Sequence, residues 1–152
     1  MNKNFRLLSL IVIVLILVTV LLIGCGEKYT VEDGVISEVT MAAAVDSEGR
    51  PLQPTDVFPV DTLSFYCSVK LSHFPPGTQI KAEWIIMAGQ AMIGVSDNTV
   101  LQMSRGIVEG DGYTAVELTR PDYEGVKWPL GDYVVIFYVE DVEKARTSFR
   151  VE

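Results

Sequence analysis

The chain has 152 residues, room for one domain with one hydrophobic core and not for a second. It carries 12 basic and 20 acidic side chains, a formal charge of -8, and such a surface repels nucleic-acid phosphates and anionic lipid headgroups. Nucleic acid is therefore not an expected partner.

In chain order the first feature is an export signal. Lys3 and Arg6 precede an apolar run over 7–23, broken only by Ser9 and Thr19, and the small residue Gly24 follows. The run ends Leu22-Ile23-Gly24-Cys25, which resembles the lipobox of bacterial lipoproteins. The resemblance implies a diacylglyceryl group on the Cys25 thiol, cleavage before that cysteine, and acylation of the new amine. Each buried methylene contributes about 0.8 kcal/mol, so two or three acyl chains hold a protein stably on a bilayer. The alternative is an uncleaved signal anchor, because the run as a helix would be ~26 Å long. Either way the positive flank stays in the cytoplasm and the remainder is expected outside it, held at the membrane. The expected organisation is a signal peptide over 1–24, lipidated Cys25 with a polar tether to 33, and one domain over 34–152. Loss of Lys3 and Arg6 leaves 10 basic against 20 acidic side chains, a formal charge of -10 on the exported part.

From Val35 onward the pattern has period two with turn residues between runs. A first strand near 35–45 turns at 46–49. The clearest strand, 62–72, alternates Leu63, Phe65, Cys67, Val69 and Leu71 with polar residues and Tyr66. After the turn Pro75-Pro76-Gly77, a strand over 79–87 sets Ile80, Ala82, Trp84 and Ile86 on one face. Weaker strands are expected near 91–95 and 99–104. Three more follow over 113–120, 132–140 and 145–151, the second of them aligning Tyr133, Val135, Phe137 and Val139. The expectation is an all-β fold, an antiparallel sandwich or barrel of seven or eight strands behind the apolar signal helix.

Cys67, Trp84 and Tyr133 fall where immunoglobulin-like domains keep a strand B cysteine, a strand C tryptophan and the corner tyrosine of strand F. The second cysteine of that pattern would stand at 135, which is Val135. The domain thus resembles an immunoglobulin-like or fibronectin-like sandwich without the inter-sheet disulfide, and the resemblance implies an architecture rather than an activity.

Candidate sites are few. Cys67 lies mid-strand on the apolar face, where a thiol behaves as a small hydrophobe rather than a nucleophile. His73, the only histidine, stands beside the Pro75-Pro76 turn without a second histidine or exposed thiol to complete a common zinc set. Carboxylates cluster at 46–49, 109–112 and 140–143, but none matches an alternating calcium loop, and turn chemistry explains them. Met41, Met87, Met92 and Met103 are scattered and read as core fillers. No metal, cofactor or catalytic set is expected, so the chain does not read as an enzyme.

The strongest surface signal lies on the far side of two strands. If Trp84 and Val135 point inward, then Ile85, Met87, Val134, Ile136 and Tyr138 point outward on neighbouring strands, unless the stretch between 89 and 105 folds across them. The leading expectation is a membrane-tethered binding or scaffolding module that pairs through this face with itself or another envelope protein. The alternative is an acidic inhibitor or capture protein for a cationic envelope enzyme or peptide, from the charge of the exported part.

Overall fold

The period-two pattern becomes eight strands in two sheets, with no helix among the described residues. The computed structural model describes residues 34–89, 98–121 and 124–152. The expected signal segment, Cys25, the tether and the weak strand near 91–95 lie outside the described residues.

The smaller sheet has the order β1-β3-β6, from β1 (Val35–Ala42), β3 (Ser64–Ser72) and β6 (Gly112–Thr119). The larger has the order β2-β8-β7-β4-β5, from β2 (Val57–Phe58), β8 (Val142–Val151), β7 (Gly131–Val139), β4 (Gln79–Gly89) and β5 (Thr99–Ile107). All pairings are antiparallel except β2 with β8, which run parallel. This is the immunoglobulin-like sandwich that the resemblance at Cys67, Trp84 and Tyr133 implies, with β3, β4 and β7 in the places of strands B, C and F.

The core forms where the inward faces meet. Phe65, Cys67 and Val69 of β3 are fully buried opposite Trp84 of β4 and Val135 of β7. Phe149 of β8 sits among aromatic rings, with centroids 5.0 Å from Phe65, 5.0 Å from Tyr133, 5.5 Å from Phe58 and 6.0 Å from Trp84. Each such ring removed from water contributes about 1.5–3 kcal/mol. The Tyr133 hydroxyl donates to the Pro129 carbonyl at 2.7 Å, buried, which is the corner hydrogen bond of the fold class.

One expectation is corrected. Leu63, placed on the core face by alternation, is 52% exposed and precedes β3. The reason is local: the chain turns just before it, where the Thr62 amide donates to the Pro59 carbonyl. The region from 99 to 105 does not fold across the outer sheet face, because β5 pairs edge to edge with β4.

The lateral edges of the sandwich differ. On one side β1 runs against β8, and β2 covers the free edge of β8. On the other, β5 and β6 are the last strands of their sheets and are joined by a short link over 108–111.

Candidate functional site

The register of the larger sheet sets out its outer face in rows. Val100, Ile85, Val134 and Ser148 form one row, and Met103, Glu83, Ile136 and Arg146 the next. Arg105, Lys81 and Tyr138 begin a third, charged row, where Lys81 Nζ stands 4.2 Å from the Tyr138 ring centre and within 3.2 Å of Glu83. Four of the five outward residues expected from the sequence, Ile85, Val134, Ile136 and Tyr138, stand in these rows, and Met87 sits at the register shift between Ile86 and Ala88. Their exposure differs: Val134 and Ile136 are buried at 6% and 7% although neither belongs to the core cluster, Ile85 and Tyr138 are intermediate, and Met87 is 42% exposed. A central strand flanked on both sides loses water contact even on its outer face. The reading of Met87 and Met103 as core fillers is corrected, since only Met41 is buried and Met103 is 47% exposed; Met92 lies outside the described residues.

Sequence reasoning missed the contribution of β5. A register shift between Trp84 and Ile85 leaves Leu101 as an extra residue, so Gln102, opposite Trp84, faces inward. Ser104 and Gly106 follow it inward opposite Ala82 and Ile80, while Val100 and Met103 stand outward at 46% and 47% exposure. Leu101 packs against the core, but beyond it the strand turns small and polar side chains inward and Met103 and Arg105 to water. On the inner side this leaves a cleft of about 620 Å³ between β5 and β6, with Leu71, Ile80, Ala82, Val116 and Phe137 among its lining. Gln102 Nε2 spans part of the gap and donates to the Glu117 carbonyl at 2.8 Å.

The remaining polar candidates are held in local structure. Cys67 is fully buried, and burial pushes its thiol up to about 12, so the nucleophilic thiolate is suppressed at neutral pH. His73 is exposed in a left-handed conformation, and its amide donates to Asp111 Oδ1 at 2.7 Å. Asp46 Oδ1 accepts the amides of Glu48 and Arg50, and Gly49 in the same turn sits so close that a Cβ there would meet the Thr114 backbone at 2.9 Å. Glu140 and Asp141 both have positive φ between the paired Val139 and Val142, a two-residue type I′ hairpin. Among the described residues no three His, Cys, Asp or Glu side chains are grouped to hold a metal.

No family model matches the chain, and no curated protein does. Solved structures do match. An immunoglobulin-like protein from Pseudomonas aeruginosa aligns at 17% identity and a TM-score of 0.54, over 81% of this chain and 99% of that one. The alkylpurine DNA glycosylase AlkC of Pseudomonas fluorescens, solved bound to DNA containing an abasic site analog, aligns at 12% identity and a TM-score of 0.50. That match covers 79% of this chain but only 30% of AlkC. At these identities the likeness is one of fold, and an immunoglobulin-like fold is compatible with a binding or scaffolding module.

Proposed function

We propose that the chain is an extracytoplasmic lipoprotein that binds a protein partner and has no chemistry of its own. In this reading Cys25 carries the lipid, residues 26–33 are the tether, and the outer face of the larger sheet is the contact surface. One observation carries it: Met87, Val100 and Met103 are each exposed by more than two fifths on adjacent strands β4 and β5, at 42%, 46% and 47%. Large apolar side chains grouped in water on one face mark a contact surface. Ile85, Val134, Ile136 and Tyr138 extend that face, the buried pair as its support.

Paired substitution Val100→Glu and Met103→Lys in the full chain tests the reading in intact cells. Crosslinking to a partner from position 87 is expected to fall about tenfold, with the thermal melt unchanged. Crosslinking that persists in the folded variant rejects the surface. Intact mass addresses the anchor separately: a diacylglyceryl addition at Cys25 is expected, and an unmodified chain recovered from the cytosol rejects it.

A second reading, capture of a cationic partner, draws support from the 20 acidic side chains set against 12 basic ones. Its mark is binding that weakens steeply as salt is added.

A further inference from the structure

We infer that the open edge between β5 and β6 takes an extended segment of a partner in which apolar and basic residues alternate. The segment adds as a strand beside β6 and sets its apolar side chains in the cleft. This rests on the capture reading and gives it a site.

The backbone of β6 is arranged for it. The Arg120 amide donates to the Leu63 carbonyl at 2.9 Å, continuing the β3–β6 register, so the even-numbered residues of β6 turn their N–H and C=O groups toward β3. The odd-numbered residues face the open edge, which agrees with Gln102 reaching the Glu117 carbonyl from across the cleft. Tyr113 and Ala115 thus direct both backbone groups at a side where no strand among the described residues pairs. An added strand of about five residues spans that stretch at ~3.3 Å per residue.

The side chains select what the strand must carry. The cleft, at about 620 Å³, is of the size that holds small ligands, and Ser104 and Gly106 leave unfilled the place where a sandwich core has large residues. Ile107 at its mouth is 67% exposed. Apolar side chains from a partner complete this interior. Among the exposed lining residues three are acidic, Glu109, Asp111 and Glu117, and one is basic, Arg105. Successive side chains of an added strand alternate in direction, so those between the apolar ones stand beside Glu117 and are matched by lysine or arginine. A second copy of this chain, at formal charge -8, brings like charge to the same residues, which favours a basic partner over self-association.

The probe is a short amide-capped peptide of alternating lysine and valine, titrated into the full chain in a non-ionic detergent. Binding is expected to slow hydrogen exchange at the Tyr113 and Ala115 amides. Affinity is expected to fall about tenfold when the peptide is N-methylated along its bonding edge, a loss that needs no change in the protein. Gly106→Leu is expected to weaken binding about tenfold as well. A Cβ at that position meets only Ile80 Cγ2, at 3.8 Å, so the variant has room to fold. If the peptide binds with affinity unmoved by N-methylation and by Gly106→Leu, the cleft is overturned while capture by charge alone stands. If it does not bind at low salt, both fall.

Discussion

The two lateral edges of this sandwich are finished differently. At the β1–β8 edge the sheets meet over large side chains: β8 turns Phe149 and Val151 inward at 3% and 1% exposure, and β2 adds Phe58 at 1%. At the β5–β6 edge Leu101 is the one large apolar side chain that β5 packs on the core, the inward residues after it are Gln102, Ser104 and Gly106, and a cleft remains. Both edges have strands in place, so the contrast shows that a sandwich is closed by the volume its strands turn inward rather than by strand number.

Truncation on the two sides puts the contrast to its hardest test. Phe149→Ala is expected to lower stability by about 3–5 kcal/mol in denaturant unfolding, because four aromatic neighbours lose a partner. Val116→Ala beside the cleft is expected to cost only about 1 kcal/mol. Equal losses would break the comparison.

The interior between the edges is sharpened by pH. Cys67 is raised from 9.0 to about 12 by burial, so below pH 9 the thiol is protonated in both the folded and the unfolded chain and adds no pH dependence. Between those values the unfolded chain ionises first. Wild type should therefore lose stability relative to Cys67→Ala by about 1.4 kcal/mol per pH unit as pH rises through that window. Parallel curves for the two proteins, or rapid reaction of a thiol reagent with the native chain, would show that the middle of β3 is open to water.

The smallest effect is the most specific to the open edge. Ser104→Val places two methyls where β5 now presents a hydroxyl, and stability is expected to rise by about 1 kcal/mol in a thermal melt. A fall would mean that the cleft is not a vacant part of the core.

How much of this was legible depends on what alternation can encode. The strands around Phe65, Trp84 and Val135 were plain, because each has one face wholly in the core and period two marks such faces. The corner bond of Tyr133 is what the resemblance to immunoglobulin-like domains implied for that residue. Alternation gives direction but not cover, so it set Val134 and Ile136 outward without showing that their neighbours would bury them. β2 is only two residues long and has no period to read. At β5, the extra residue Leu101 exchanged the faces, and a single-residue shift of that kind moves every later side chain to the opposite side. The exposed pair Val100 and Met103 and the cleft both follow from it, and neither has a sequence signal apart from the polar and small residues at 102, 104 and 106.

The parallel joining of β2 to β8 has a kinetic consequence. Val57 lies beside Arg150, the Arg150 amide donates to the Asp56 carbonyl at 2.8 Å, and the Glu152 amide donates to the Phe58 carbonyl at 3.0 Å. Loop-closure entropy must therefore be met across most of the domain before this seam rewards it, which puts the fold among the slow, non-local topologies that assemble in milliseconds to seconds.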